Sequence, residues 1–394
     1  MAALKDAWQN QDTKNSGENY EVLNRPAKIA SNYFLPTEIK KGKILALKQT
    51  KSDAPGFVII NEKKIEQRLF KIAFQEQPWY SYHNGILVWD EIRYDPRFKQ
   101  RSYSVICIYD FATGQKKQLS FKSRLFSPSV SGDGKKIVAV QIDLSNQVNL
   151  VMLDSQKGKI VQTIPNPENL MLQTPSLNED GSKITYVSVS ESGKALWLID
   201  GESTTKIIDD TNQQISRPIF FGNQIAFNAH LSGIDNIYSI SIADKKITAL
   251  TSAKYGAFNA NTSLDGKEIF FNNFEPTGYN IAKTEIKPKQ VQENHFVYFG
   301  KTAETPKSVF TDIPDSSYAS KKYSRFSNLF NFHSISPTID ENERVGLQLK
   351  STDLLNNFDF FTGVNYHSDL RKLEYNAGFN LKTFYPVLST TFRN

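Results

Sequence analysis

The side chains best suited to metal binding or acid–base chemistry are spread thinly along this chain of 394 residues. Its five histidines are His83, His230, His295, His333 and His367. They lie too far apart for a local metal motif, and the chain contains no His-Glu-x-x-His segment. It also lacks the Gly-x-Ser-x-Gly turn that presents a serine nucleophile. These patterns predict no catalytic residue, no metal site, no cofactor and no enzymatic activity.

Three aspartates that each precede a glycine invite a calcium interpretation: Asp133, Asp180 and Asp265. Calcium takes six to eight oxygen ligands, whereas each of these segments offers one carboxylate. Asp-Gly is also a favoured tight-turn pair, so turn formation is the better interpretation. The single cysteine, Cys107, lies in an apolar run, which predicts a buried thiol and excludes an internal disulfide.

The densest mixture of charged and aromatic side chains lies between Trp89 and Tyr103. Arg and Trp often anchor protein interfaces, and binding residues concentrate in loops. The candidate partner-binding residues are Trp89, Glu91, Arg93, Arg97, Arg101 and Arg124. The alternative is an insertion whose arginines and acids pair with one another and fix local packing.

A repeat must position these residues. Glycines that precede apolar strands recur every 41 to 49 residues, at Gly42, Gly85, Gly134, Gly181, Gly222 and Gly266. Each interval contains about four short strand-like segments, and this period is typical of propeller blades. Because a single blade cannot bury its apolar faces, neighbouring blades must stack in a closed ring. The sequence therefore predicts an all-β fold with a six-bladed β-propeller over residues 39–299, after a lead-in segment at 1–38.

Ring closure and the C-terminal region give two further predictions. The first unit reads as one strand short, so His295–Phe299 is expected to return to it. Residues 300–343 are rich in Pro, Ser and Lys and read as a linker. Residues 344–394 alternate between apolar and polar or Gly positions over long strands, which predicts the incomplete start of an outer-membrane-type β-barrel. A small soluble sheet with an aromatic core is the alternative.

Charge and hydropathy limit the partners. The formal net charge is +6, but Lys and Arg are scattered among acids, so no nucleic-acid patch is predicted. No stretch is long and apolar enough for a membrane-spanning helix, and the first residues contain no apolar core of an export signal. A closed barrel needs about eight strands, and only three or four fit after residue 344. The missing export signal and the small number of C-terminal strands both predict a fragment of a longer protein.

The segment SPSVSGDGKKIVAV, Ser127–Val140, resembles the repeat of TolB-type propellers, which prolyl-oligopeptidase-like proteins also contain. The resemblance covers roughly residues 40–293. The order of the whole chain is similar to Gram-negative outer-membrane proteins in which such a propeller precedes a barrel, some with a metallopeptidase-like domain upstream. The segments that carry this second resemblance are Trp89–Arg93, Asp95–Arg97, Arg101–Tyr103, Arg124–Pro128 and Phe330–Pro337.

The resemblance implies a non-catalytic protein-binding scaffold of the cell envelope. Its propeller would face the periplasm, its C-terminal strands would enter the outer membrane, and its partners would be envelope proteins or peptides. Two alternatives remain open. The chain could be the non-catalytic propeller of a peptidase whose active domain lies elsewhere, or a soluble propeller that binds a glycan or peptide.

Overall fold

The computed structural model describes residues 17–291 apart from 27–28 and 96–100, and residues 328–394 apart from 340–343 and 385, with isolated positions 319, 322 and 324. It divides into two compact units. Unit 1 comprises Met1–Arg93 and Tyr103–Val297, and unit 2 comprises Tyr94–Ser102 and Tyr298–Asn394. All regular elements in the described residues are β-strands.

The first three sheets of unit 1 contain four antiparallel strands each. Sheet 1 contains β1 (Ser31–Lys40), β2 (Lys43–Thr50), β3 (Gly56–Asn61) and β4 (Glu66–Lys71). Sheet 2 contains β5 (Ser81–His83), β6 (Ile86–Tyr94), β7 (Ser102–Asp110) and β8 (Gln115–Gln118). Sheet 3 contains β9 (Leu125–Val130), β10 (Lys136–Ile142), β11 (Val148–Asp154) and β12 (Ile160–Ile164).

The next two sheets repeat this arrangement, and the last contains three strands. Sheet 4 contains β13 (Met171–Leu177), β14 (Lys183–Ser190), β15 (Gly193–Asp200) and β16 (Ser203–Thr211). Sheet 5 contains β17 (Ser216–Phe221), β18 (Gln224–Ala229), β19 (Asn236–Ser241) and β20 (Ile247–Ala249). Sheet 6 contains β21 (Ala257–Thr262), β22 (Glu268–Glu275) and β23 (Gly278–Glu285).

Six apolar cores join each sheet to the next. The second and third strands of a sheet are the most apolar because they are covered on both faces by neighbouring sheets. Each core contains residues from two consecutive sheets, for example Phe57 with Trp89, Ile106 with Ile137, Leu150 with Ile184, Leu196 with Phe227, Ile237 with Phe271, and Phe270 with Val58. The last of these cores joins sheet 6 to sheet 1 and closes the ring. The predicted β-propeller is confirmed, with six sheets.

The premise of the predicted ring closure, a first unit that lacks one strand, is wrong. Sheet 1 is complete, because β1 begins at Ser31, inside the predicted lead-in, and supplies its fourth strand. Within the part of the chain that the structure describes, sheet 6 has three strands, and the segment before β1 lies along it. There Val22 pairs with Ala282, and the Leu23 amide donates to the Ile281 carbonyl at 2.8 Å. The expected closing strand, His295–Phe299, lies outside the described residues.

Unit 2 contains one antiparallel sheet of five strands, each paired with the next along the chain. The strands are β24 (Phe332–Ile339), β25 (Arg344–Thr352), β26 (Phe358–His367), β27 (Lys372–Leu381) and β28 (Leu388–Arg393). The sheet therefore starts before residue 344, and the predicted linker contains its first strand. In the described residues the sheet is open, with β24 and β28 at its edges.

The two faces of this sheet differ sharply in polarity, because successive side chains of a strand point to opposite faces. One face carries Phe332, Ile335, Pro337, Ile339, Val345, Leu347, Leu349, Phe358, Phe360, Val364, Tyr366, Leu373, Tyr375, Ala377, Phe379, Leu381, Leu388 and Phe392, with the polar residues Ser351, Thr362 and Thr390 among them. The other carries Ser334, Ser336, Thr338, Arg344, Gln348, Lys350, Asp359, Asn365, His367, Lys372, Glu374, Asn376, Asn380 and Arg393, with the aromatic residue Phe361 among them.

Candidate functional site

Two of the six predicted surface residues lie in the core. Trp89 is 0% exposed and Glu91 is 1% exposed, since β6 is covered on both faces by sheets 1 and 3. The Trp89 ring packs edge-on against Phe57, with centroids 5.4 Å apart. Its indole nitrogen donates to Glu91 Oε1 at 2.8 Å. Trp89 and Glu91 therefore stabilise the contact between sheets and cannot form a partner-binding surface.

The buried carboxylate of Glu91 is paired with cations from its own strand and from β8, two strands away in the same sheet. Arg93, on β6, contacts Glu91 Oε2, and Lys116, on β8, lies 3.9 Å from Oε1. The Ala73 amide also donates to Oε1 at 3.2 Å. Because a buried charge is tolerated when it is paired and hydrogen-bonded, this network fits the packing interpretation of the insertion. Burial, with a smaller contribution from Glu91, raises the pKa of the nearby Cys107 thiol to about 12.

The remaining predicted site residues are dispersed. Arg97 lies outside the described residues. In unit 2, the Arg101 guanidinium is 4.0 Å from Asp95, and the Asp95 amide donates to the Arg101 carbonyl at 2.9 Å. In unit 1, the half-buried Arg124 donates to the Asp143 carbonyl at 3.2 Å. The described residues therefore form no single recognition surface from the predicted set.

The three turn aspartates bind their own turns. Asp133 Oδ1 accepts hydrogen bonds from Ser131 Oγ at 2.6 Å and from the Lys135 amide at 3.0 Å. Asp180 and Asp265 accept the equivalent amide bonds at 2.9 and 3.1 Å. These bonds lower the pKa of all three carboxyl groups. Within the described residues, no three His, Cys, Asp or Glu side chains converge as a metal site.

The innermost strands share a feature that was not predicted from the sequence. In five of the six sheets, a residue within this strand has a positive φ and lies at a β-bulge. These residues are Leu35, Ser127, Thr174, Arg217 and Asn259. Four of them precede a proline, and in three of these the residue before the proline lies seven positions before the repeat glycine, a spacing that could have indicated the bulge. The bulges turn the backbone at the wall of the central channel.

Polar side chains on the second strands bond these bulges to the preceding sheet. Asn228 Oδ1 accepts the Asn259 amide at 3.1 Å, and Asn272 Oδ1 accepts the Leu35 amide at 3.0 Å. Asp90 holds the corresponding position in sheet 2 and accepts a backbone hydrogen bond from Ser127. Asp90 is only 8% exposed, and burial raises its pKa to about 7.

Arg217 joins two sheets that are not neighbours. It lies on β17 in sheet 5, and its Nη2 donates to the Pro78 carbonyl at 2.8 Å, just before β5 of sheet 2. Its guanidinium carbon lies 4.9 Å from the centre of the Trp79 ring. Burial lowers the pKa of Arg217 to about 10, although Asp90 acts in the opposite direction. Arg217, Trp79, Asp90 and Gln75 are named here the channel cluster.

The apolar face of the sheet in unit 2 is open in the described residues. Ile335 is 71% exposed, Leu347 55% and Phe392 63%. The polar face is bonded internally: Arg344 and Arg393 each lie 3.3 Å from the Glu374 carboxylate. The described residues include no helix with the length and hydropathy needed to cross a bilayer.

Comparisons with known proteins give resemblances of fold at low identity. No protein-family model matches the chain, and no curated protein matches it. TolB from Acinetobacter baumannii is 14% identical with a TM-score of 0.43, over 84% of this chain and 77% of that chain. The β-propeller domain of the trilobed protease from Pyrococcus furiosus is 12% identical with a TM-score of 0.45, over 68% and 97%.

An oligogalacturonate lyase in complex with manganese is 13% identical with a TM-score of 0.45, over 86% of this chain and 88% of that chain. The similar structures thus include enzymes as well as TolB proteins. The β-propeller assignment itself rests on the six sheets and the closed series of cores between them.

Proposed function

We propose that this chain is a non-catalytic binding scaffold of the bacterial cell envelope, whose propeller docks proteins or peptides while the sheet of unit 2 enters the outer membrane. The observation that carries the proposal is the two-faced sheet of β24–β28. A soluble protein rarely exposes an apolar patch of this extent. A membrane strand, in contrast, presents apolar side chains to lipid and polar side chains to the other side.

The dimensions of the sheet agree with a bilayer. Its longest strands contain 10 residues, within the range for tilted membrane strands. Aromatic side chains lie toward both ends of the apolar face, with Phe358 at one end of β26 and Tyr366 near the other. Eight residue steps separate them, or about 26 Å along the strand at 3.3 Å per residue. Aromatic side chains toward both ends of the apolar face agree with the two aromatic girdles of a membrane barrel.

Two features support a binding role for the propeller: its sequence lacks catalytic motifs, and its loops can contact a partner. The catalytic motifs named above are absent from the sequence. A ring of six sheets instead offers a rigid surface of loops. We therefore assign recognition to unit 1 and membrane attachment to unit 2.

Flotation of the full-length chain with phosphatidylcholine–phosphatidylglycerol vesicles tests membrane insertion. Wild-type protein is expected to float with the vesicles after refolding. Leu347→Lys puts a charge on the apolar face, at a cost of about 2–4 kcal/mol near the bilayer midplane, and should remain at the bottom of the gradient. Gln348→Lys changes the adjacent residue on the polar face and serves as the matched control that still floats.

Recovery of all three proteins from the bottom fraction, with folded propellers, would overturn membrane insertion. That result would favour the soluble glycan- or peptide-binding alternative. Equal flotation of Leu347→Lys and wild type would likewise show that the apolar face is not in contact with lipid.

A further inference from the structure

The Arg217 side chain crosses the central channel of the propeller. The innermost strands contact one another in sequence around the ring, from β1 through β5, β9, β13 and β17 to β21 and back to β1. Sheets 2 and 5 are three positions apart in this ring of six, so they lie on opposite sides. The hydrogen bond from Arg217 to the Pro78 carbonyl must therefore span the axis.

The positive charge of this side chain is incompletely matched. Within the described residues Arg217 forms no ion pair, and its Nη1 is buried without a hydrogen-bond partner. The acid that most affects it is Asp90, which burial keeps partly protonated near neutral pH. A buried cation is strongly favoured only when an anion and hydrogen bonds compensate its desolvation.

A second polar side chain with an unpaired atom, that of Gln75, contacts the Pro78–Trp79 segment before β5. Gln75 is 6% exposed, and its Nε2 donates to the Trp79 carbonyl at 2.8 Å and the Asp90 carbonyl at 2.9 Å. Its Oε1 is buried and accepts no hydrogen bond. Arg217 and Gln75 thus flank Trp79, one with an unused donor and the other with an unused acceptor.

We propose that the channel cluster is a receptor for the free carboxylate of an extended peptide, which Arg217 binds after it releases the Pro78 carbonyl. The proposal rests on the proposed function and specifies the chemistry of the partner. A guanidinium forms paired hydrogen bonds with a carboxylate, which a carbonyl oxygen cannot match. The Oε1 atom of Gln75 is suited to accept a hydrogen bond from the backbone N–H of the peptide residue that bears the carboxylate.

Calorimetry and tryptophan emission of the full-length chain test this receptor with defined probes. The probes are acetyl-trialanine with a free carboxylate, the same peptide as its C-terminal amide, galacturonate, and inorganic phosphate. We expect the free acid to bind and to change the emission of Trp79, a change that Trp79→Phe abolishes. The amide should bind at least about 10-fold more weakly, because charged hydrogen bonds contribute about 1.5–3 kcal/mol.

Variants identify the residue responsible. Arg217→Gln should weaken binding of the free acid by about 10- to 100-fold. Arg217→Lys keeps the charge without the planar fork, so it should bind with intermediate affinity, and it replaces Arg217→Gln if that variant fails to fold. Arg124→Gln removes an arginine outside the channel cluster and should bind like wild type.

Several results would overturn the receptor: no binding of the free acid at millimolar concentration, equal binding of acid and amide, or undiminished binding by folded Arg217 variants. Tighter binding of phosphate or galacturonate than of the peptide would replace a peptide with an inorganic anion or an acidic sugar as the ligand. Vesicle flotation does not depend on Arg217, so membrane attachment and the receptor can fail separately.

Discussion

At the scale of single residues, Asp90 differs from its counterparts in a way that predicts a pH-dependent stability. Asn228 and Asn272 hold the corresponding positions in sheets 5 and 6, and each bonds the next sheet as a neutral amide. Asp90 does the same with a carboxyl group whose pKa burial raises to about 7. A raised pKa means that the folded chain binds a proton more tightly than the unfolded chain.

Asp90→Asn should therefore stabilise the propeller at high pH and change it little at low pH. In the wild type, the contribution of the neutral carboxyl is fully present below its unfolded pKa near 3.8 and is lost as pH rises to about 7. The loss is about 4 kcal/mol at most, from 1.4 kcal/mol per pH unit. Urea unfolding at pH 4 and pH 8 measures it.

The reverse substitution provides the control for this prediction. Asn228→Asp places a carboxyl in the equivalent buried position and should introduce a loss of stability between the same pH values. Parallel pH profiles for wild type and Asp90→Asn would show that Asp90 is ionised in the folded chain.

The same stretch shows where residue-level prediction from sequence fails. Trp89 and Glu91 were predicted to belong to a recognition surface because charged and aromatic residues are densest from Trp89 to Tyr103. Glu91 is instead buried beside Lys116, which is 25 positions away along the chain and on another strand. A local pattern cannot show a partner at that separation, whereas the turn roles of Asp133 and its two counterparts involve neighbours only and were predicted.

At the scale of elements, the presence of most strands was predictable from the sequence, but the residues at which the sheets begin and end were less so. The alternation of β25 to β28 is a local property, and the structure has the expected faces. Strand β24 was assigned to a linker because Pro337 and several serines interrupt its pattern. Proline is tolerated there because β24 is an edge strand, and a missing amide costs no hydrogen bond when it faces the open side.

The innermost-strand bulge predicts a stabilising substitution at Thr174. Its φ is 46°, which is unfavourable for a β-branched side chain, and its Oγ1 is buried without a partner. Asn tolerates the left-handed conformation, so Thr174→Asn should raise the free energy of unfolding by about 1 kcal/mol. Thermal and urea denaturation measure the change.

Thr163, an exposed residue of β12, supplies a matched control of opposite sign. Thr163→Asn should lower stability slightly, since Thr is favoured over Asn in an extended strand. If both Asn variants lose stability, the left-handed backbone at Thr174 carries no strain that Asn relieves.

At the scale of the whole molecule, the number of sheets followed from the repeat, but closure did not. The glycine period requires six stacked units whatever their ends do. The partner of sheet 6 cannot be read from local pattern, because His295–Phe299 is apolar as a closing strand should be, whereas Val22 and Leu23 are a short apolar pair beside polar residues. Besides the backbone contacts of Val22 and Leu23, the side chain of Asn24, which no strand pattern detects, holds the N-terminal segment to sheet 6.

Asn24 should therefore contribute strongly to the free energy of unfolding of the propeller. It is 5% exposed, its Oδ1 accepts the Ile281 amide at 2.8 Å, and its Nδ2 donates to Asn280 Oδ1 at 3.0 Å. Asn24→Ala leaves a buried amide on β23 without a partner, at a cost of about 1–3 kcal/mol. Because sheet 6 packs on sheets 1 and 5, the loss should lower the midpoint of the cooperative unfolding transition of the whole propeller.

Arg25→Ala, which removes an exposed hydrogen bond to the Lys63 carbonyl, should leave that midpoint nearly unchanged. Equal effects of the two substitutions would mean that the N-terminal segment does not help to close the ring.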